Sequence, residues 1–400
     1  MNFILFLHIV YVILFIILLL IIGDFLLSLI ILAHEAGHFF ASRWLGVKVE
    51  EFGLGFPPRL FARKWGETIF SINKVPFGGF VRPLGEEGKV KDKRAFSSKG
   101  PWAQSAILVA GVVMNFIVAF VLFTAVLSFN HFQFEAPTVV PTSGTSLNLK
   151  FPFGSQSEPV LINEVDPKSP AEEAKIAPPD EVLSINGKKV ESVEALQKTV
   201  DQNKGKEITL LVRSFTSGET KTVALVPRIN PPKGQGPLGV GLDSFFVIKY
   251  SSISDKIFVG PLHSINMIYL QWVAIRSLVS QSIGTHSVTP VSNAVSGPIG
   301  IAGQLGSFIG QAGAASAWTI VMLVGLISLM LGLVNLLPIP IADGGRLVFT
   351  LLEGVFRIKV NENVQRWINA ISLYLLVIIF ILVTINDISK YPSYFRSFFK

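Results

Sequence analysis

Apolar residues run through this chain in long unbroken blocks. Four of them, residues 3–47, 106–129, 318–337 and 367–385, reach the length of about 20 residues that a bilayer-spanning helix needs. Each block must be helical, because backbone polar groups in lipid have to be satisfied within their own segment. The first block is too long for one ordinary span. Read as a single helix it would extend about 60 Å, roughly twice the hydrocarbon thickness, and Gly23-Asp24 falls in its middle. Either residues 3–22 form a separate span or signal-like anchor followed by a second helix from Phe25, or one tilted helix projects from the bilayer. The Gly-Asp break leans towards the first arrangement. A cleaved signal peptide is not expected, since a basic leader is absent and the apolar stretch is too long.

The pattern changes class between about residues 130 and 250, where long apolar runs give way to short alternating segments punctuated by Pro, Gly, Asn and Ser. Strands are expected at 159–165, 182–185 and 208–213, with a tight turn at Asn186-Gly187. Ser169-Pro170-Ala171-Glu172 carries the cap, proline and first-turn acid of a short helix, and 193–200 is amphipathic. A long helix at 257–283 has one broad apolar face suited to a membrane interface, and a Gly-rich link at 296–313 leads into the third span. Near the first span, 70–75 and 79–82, joined by Pro76-Phe77-Gly78, are expected to form a hairpin.

Composition agrees with a membrane protein: of 400 residues 50% are hydrophobic and 15% charged, against about 25% charged in soluble chains, and the mean hydropathy is +0.55. The net charge of +7 comes without dense basic runs interleaved with aromatics, so no nucleic acid partner is expected. The charge reports topology instead. Residues 41–100 hold twelve Lys and Arg against six acids, which assigns them to the cytoplasm and the 130–250 insert to the outside of the inner membrane. Cysteine is absent, so a metal site has to be built from His, Asp or Glu.

Such a site is suggested by His34-Glu35-Ala36-Gly37-His38. Residues four apart share a helix face, so both imidazoles can reach one zinc ion while Glu35 sits beside the water to be activated. Three ionisable side chains in an apolar segment are costly and point to function. A third ligand is needed, and Asn335-Leu-Leu-Pro338-Ile-Pro340-Ile-Ala-Asp343-Gly344-Gly345 offers a carboxylate at the edge of a helix broken by two prolines and two glycines. The backbone groups freed there are tolerable only against protein or a wet cavity. Zinc suits these ligands, although two His and one carboxylate also suit iron or manganese. His8, His131, His263 and His286 are isolated and expected to serve packing or interfacial roles.

Together, H-E-x-x-H in one apolar helix and N-x-x-P-x-P-x-x-D-G-G in a later one resemble the site-2 protease family of intramembrane zinc metalloproteases, peptidase family M50, of the bacterial regulator of sigma-E protease type. The likeness covers most of the chain after about Phe25. It includes Gly46-Val47-Lys48-Val49-Glu50-Glu51-Phe52-Gly53-Leu54-Gly55-Phe56, Pro76-Phe77-Gly78-Gly79-Phe80-Val81, Ala110-Gly111-Val112-Val113-Met114-Asn115-Phe116, Ser296-Gly297-Pro298-Ile299-Gly300 and Asn386-Asp387, in that order. Three positions depart from the family pattern. Ala342 replaces the usual Leu, Val112 replaces a Pro, and Pro178-Pro179-Asp180 stands for Pro-Gly-Asp.

The resemblance implies that His34, His38 and Asp343 are zinc ligands, that Glu35 is the general base, and that Asn335 lines the site and helps hold substrate. It also implies that the insert is a PDZ-like domain. The expected architecture is a polytopic α-helical membrane protein with a membrane-associated β-hairpin and an inserted extracytoplasmic PDZ-like α+β domain. Its parts are the first hydrophobic region and zinc-motif helix (1–47), a cytoplasmic loop with the hairpin (48–100), the second core helix (101–129), a linker (130–158) and the PDZ-like domain (159–228). A linker with the interfacial helix (229–317), the third core helix (318–345), a loop (346–365), the fourth core helix (366–386) and a tail (387–400) follow. The expected reaction is hydrolysis of peptide bonds within or near the transmembrane segment of membrane-anchored, single-span substrates, such as anti-sigma-factor-like proteins or signal-peptide remnants. Membrane lipid and a peptide ligand of the PDZ-like domain are the other expected partners. A competing reading is a catalytically silent scaffold that binds peptide tails; a transporter would favour paired inverted repeats, which are not seen.

Overall fold

The computed structural model describes residues 3–86, 90–137, 149–214, 218–295, 297, 300, 315–358 and 360–396. They form two compact units, one built from residues 1–126 and 286–400, the other from 127–285.

The first unit opens with helix α1 (Phe3–Trp44), 42 residues long and continuous through Gly23-Asp24. The break expected there does not occur. A lone glycine costs a helix only about 1 kcal/mol, and with no proline in the segment every amide keeps its acceptor one turn back. Helix α2 (Pro101–Phe129) starts on a proline, which suits a first helical position, and Val112 in its interior keeps the amide that a proline would remove. The later helices of this unit are α8 (Ala315–Leu336), α9 (Asp343–Val355) and α10 (Glu362–Arg396). Among the described residues, four segments are long and apolar enough to cross a membrane: Ile21–Trp44, Pro101–Phe129, Ala317–Leu336 and Asn363–Ser389. The link expected at 296–313 lies almost wholly outside the described residues. Of its start, Gly297 and Gly300 donate their amides to the buried Asp387 carboxylate at 3.1 and 2.8 Å.

Between α1 and α2, β1 (Val49–Trp65) and β2 (Thr68–Pro83) turn at Gly66, φ +61°. The hairpin differs from expectation. Residues 51–54 pair both with 69–72 and with 79–82, so the two segments expected to pair with each other instead flank β1. Gly53, Gly55, Pro57 and Pro58 disguise β1 as a loop in the sequence. The buried Glu51 holds the sheet together: its carboxylate accepts from Arg59 at 2.8 and 2.6 Å and from Ser71 at 2.8 Å, and Arg59 chiefly keeps it below the ordinary carboxylate range. Ser28 of α1 anchors the bend at 76–78, accepting from Gly78 N at 3.0 Å and donating to Pro76 O at 3.3 Å.

In the second unit β3 (Gln133–Pro137), β4 (Ser155–Ser157), β5 (Val160–Val165), β6 (Asp180–Ile185), β7 (Lys188–Lys189), β8 (Ile208–Ser214), β9 (Thr220–Leu225) and β10 (Val240–Lys249) form one sheet, ordered β3-β10-β5-β6-β8-β9, with β4 on β10 and β7 on β6. Ile162, Ile208 and Leu210 of the sheet form the core with Ala171 of α3 (Pro170–Glu173) and Leu196 of α4 (Val193–Gln202) among others. Ser169 caps α3 by accepting from Glu172 N at 3.1 Å. At Pro178-Pro179-Asp180 the Asp180 carboxylate closes the turn by accepting from Ala177 N at 3.2 Å. The sheet continues past residue 228 into β10. Its first half, Val240 to Ser244, pairs with β5, and its second half is flanked by β3 and β4.

The long helix expected at 257–283 is α6 (Val259–Gly284), preceded by the short helix α5 (Ile253–Ile257) and parted from it at Phe258. Tyr250 and Asn266 tie α6 to the sheet: Asn266 donates to Tyr250 Oη at 2.8 Å and bonds Phe153 N and O, while Tyr250 Oη lies 3.0 Å from His263 Nδ1. The far end of α6 exposes Trp272, Ile275, Val279 and Ile283. α7 (Thr289–Ala294) follows in the first unit.

Candidate metal centre

One helical turn on α1 brings His34 and His38 to the same face, and both are buried. Room for them is made by two glycines. A methyl on Gly111 of α2 would lie 2.7 Å from His38 Cε1 and 2.8 Å from His34 Cε1, and closer still to His38 Nε2. A methyl on Gly37 would meet Gly111 Cα at 2.9 Å and the Ala110 carbonyl carbon at 2.7 Å. The two helices therefore touch backbone to backbone beside the histidines, which is what the Ala110-Gly111 pair secures.

Asp343 arrives from the other end of the sequence. Helix α8 stops at Leu336 because the residue before Pro338 is driven out of helical geometry. A tight loop follows, with Ile339 N bonded to Leu337 O at 2.7 Å and Ala342 N to Ile339 O at 2.9 Å, and Asp343 opens α9. Gly344 and Gly345 are required by the same compactness. A methyl on Gly344 would sit 2.5 Å from Leu336 O, and one on Gly345 would sit 2.7 Å from the Ile339 carbonyl carbon.

The result is a triangle of ligand atoms. Asp343 Oδ2 lies 2.9 Å from His34 Nε2 and 3.1 Å from His38 Nε2, and the two nitrogens are 3.2 Å apart. Ligands placed tetrahedrally at about 2.0–2.1 Å from zinc stand about 3.3 Å from one another, so the triangle fits the ion with small adjustments. The chemistry of the donors fits as well. His38 Nδ1 faces the Ile107 carbonyl at 2.8 Å, which can only accept, so that nitrogen carries the proton and Nε2 presents a lone pair. A lone pair 3.1 Å from a carboxylate oxygen calls for a second proton or a cation between them. Burial works to raise the Asp343 carboxyl, but its contacts with His34 and His38 outweigh this and hold it below the ordinary range. Among the described residues this is the one group of three His, Asp or Glu able to share an ion.

Glu35 points elsewhere on α1 and accepts from Val81 N of β2 at 3.0 Å. Asn335, near the end of α8, places its Nδ2 3.5 Å from His34 Nε2. Four of the five residues singled out in the sequence, His34, His38, Asp343 and Asn335, thus gather around one spot in the first unit, and Glu35, next to His34 in the chain, bonds β2. Asn115 and Ile107 of α2, which bond the far nitrogens of the two imidazoles, were not singled out. Asn115 lies in the 110–116 motif, while a backbone carbonyl leaves no sequence signal at all.

Comparison with known proteins adds an independent line. The sequence description of peptidase family M50 matches residues 23–379. A protein of Clostridium acetobutylicum named "Putative zinc metalloprotease" is 31% identical over 92% of this chain and 96% of its own length. Relatives with the same designation are 29% identical in Clostridium perfringens (90% of this chain, 96% of the relative) and 25% identical in Staphylococcus aureus (91% and 96%).

Proposed function

From the premise that the chain belongs to peptidase family M50 and is a zinc-dependent metalloendopeptidase of the membrane, we propose that it hydrolyses peptide bonds within or near the transmembrane segment of single-span, membrane-anchored substrates. His34, His38 and Asp343 hold the zinc, Glu35 is the general base, and Asn335 helps hold the substrate. The observation that carries this reading is the meeting of His34 and Asp343, 309 positions apart, within 2.9 Å in an apolar helical unit. When bound, zinc supplies Lewis acidity, which acidifies water and polarises the scissile carbonyl. Glu35 takes the proton from the attacking water and returns it to the leaving amine.

A substrate helix has its carbonyls bonded internally, so local unwinding needs new backbone partners. The edge of β2 supports such a route. Val81 pairs opposite Phe52 yet gives its N–H to Glu35, so one donor of this edge is turned towards the general base. An extended substrate adding to this edge would be presented beside Glu35. In the second unit, β10 has no strand beside its Val240–Ser244 stretch on the edge away from β5 among the described residues, and a peptide ligand of a PDZ-like domain would add there.

Orientation with residues 41–100 in the cytoplasm and the 127–285 unit outside the inner membrane is supported by the basic excess of that loop and by exposed Trp44 and Trp102 at its borders. The outer unit then acts as a size filter against untrimmed substrates. Replacing it with a short linker is expected to permit their cleavage; variants that still cut only trimmed substrates would refute the filter. The scaffold reading predicts indifference to Glu35. Purified Glu35→Gln is expected to retain zinc while losing cleavage of a single-span reporter by at least about 100-fold, and unchanged cleavage would overturn the catalytic reading.

A further inference from the structure

Asn115 is fully buried on α2 and has no part in the chemistry described so far. Its Nδ2 lies 3.1 Å from His34 Nδ1, its backbone carbonyl accepts from Ser328 of α8 at 2.9 Å, and its Oδ1 is buried without a hydrogen-bond partner. The serine bond fixes the backbone of this turn against α8, so the amide has little freedom except rotation about its own Cβ–Cγ bond.

An imidazole that offers the Nε2 lone pair to a metal must keep its proton on Nδ1, and that proton needs an acceptor. For His38 the Ile107 carbonyl provides one unconditionally. His34 faces an amide, which has a donor at one end and an acceptor at the other. With Nδ2 towards the ring, His34 Nδ1 is the acceptor and its proton sits on Nε2, directed at Asp343 Oδ2 and His38 Nε2, 2.9 and 3.2 Å away. That is the arrangement suited to an empty site. With Oδ1 towards the ring, the proton moves to Nδ1 and Nε2 is free to ligate. With Nδ2 towards the ring, Oδ1 is buried without a hydrogen-bond partner, so no bond at that end opposes rotation of the amide.

We infer that Asn115 is a positioning residue for the metal: its amide selects the tautomer of His34, donating to Nδ1 when the site is empty and accepting the Nδ1 proton when zinc is bound. The inference rests on the assignment of His34, His38 and Asp343 as zinc ligands. It gives the two histidines different duties. His38 is permanently set for ligation by a carbonyl, whereas His34 is set only on loading.

Full-length protein carrying ¹⁵N-histidine, purified in detergent, tests this through two readouts: zinc affinity by chelator competition, and the His34 tautomer from its ring nitrogen shifts, assigned by difference against His34→Asn. In the wild type, His34 is expected to carry its proton on Nε2 without metal and on Nδ1 with zinc. Asn115→Leu removes the partner and is expected to weaken zinc binding by about 10–100-fold. Asn115→Asp, ionised beside the imidazole, offers only acceptors, so it is expected to keep zinc affinity within a few-fold and to hold a proton on His34 Nδ1 in both states. Should the leucine variant not fold, the aspartate variant decides alone by its metal-free tautomer. Wild-type affinity in Asn115→Leu, equal weakening in both variants, or an Nε2–H tautomer in metal-free Asn115→Asp would overturn the inference while leaving the zinc site standing. Zinc affinity unchanged in Asp343→Ala would remove the ligand assignment itself, and this inference with it.

Discussion

Replacing Gly111 by alanine probes the packing that makes the metal centre possible. The added methyl would lie 2.7 Å from His38 Cε1 and 2.8 Å from His34 Cε1, where ordinary contact begins at 3.4 Å. Relief therefore requires both rings, or the helix carrying them, to move by at least about 0.6 Å, several times the tolerance of about 0.2 Å on metal–ligand distances. The rings cannot yield singly. His38 is tied to Ile107 O at 2.8 Å and His34 to Asn115 at 3.1 Å. Nor can the helices part without opening the Gly37 contact with Ala110 and Gly111. Helix propensity works in the opposite direction, since alanine favours a helix over glycine by about 1 kcal/mol. Gly111→Ala is thus expected to stay folded in detergent, to bind zinc at least about 10–100-fold more weakly by chelator competition, and to lose reporter cleavage in proportion. Full zinc affinity in a folded Gly111→Ala would refute the claim that close backbone approach builds the site.

Two further outcomes follow from other contacts. Gly344→Ala is expected to displace the start of α9, because its methyl would meet Leu336 O at 2.5 Å, and so to lose zinc and activity together, whereas Gly100→Ala, open on all sides, is expected to be silent in both measurements. His263 is buried and its imidazole is pushed down to about 3 by that burial. Its folded value lies below the unfolded value of about 6.5, so the unfolded chain binds the extra proton between these limits. The stability it confers is complete above about pH 6.5 and falls by about 1.4 kcal/mol per pH unit below it. Hydrogen exchange in β10 and the first turns of α6, corrected for intrinsic rates, is expected to lose protection about tenfold per unit between pH 6 and 4. Flat protection over that range would contradict the assignment of His263 as a neutral packing residue.

Much of the centre was legible in the chain because its residues carry their own spacing signals. His34 and His38 sit four apart, with Glu35 between them, on a helix whose apolar run is unmistakable, and Asp343 is flagged by the prolines and glycines that break the third such run. What the sequence concealed depends on contacts between distant segments. The strand β1 is hidden because Gly53, Gly55, Pro57 and Pro58 argue locally against a strand, and it is held by contacts with residues distant in sequence, Glu51 with Ser71 and the β1 carbonyls with Thr68 and Asn73. The break expected at Gly23-Asp24 failed for the opposite reason: a local signal worth about 1 kcal/mol was outweighed by the flanking helix. Residue 228 looks like the end of the PDZ-like domain because 229–239 is rich in Pro and Gly, yet β10 beyond it pairs with β5, β3 and β4. The duty of Ile107 leaves no sequence signal because a backbone carbonyl performs it, and that of Asn115, although the residue lies in the 110–116 motif, arises only where α1 and α2 touch.

The central claim is that two distant stretches share one ion. X-ray absorption at the zinc edge, on wild type and Asp343→Ala, tests it most directly. The account predicts two imidazole nitrogens and carboxylate or water oxygens at about 2.0–2.1 Å in the wild type, with one zinc per chain, and loss of that bound zinc in Asp343→Ala. A wild-type spectrum lacking imidazole, or an identical zinc content and spectrum in Asp343→Ala, would contradict it.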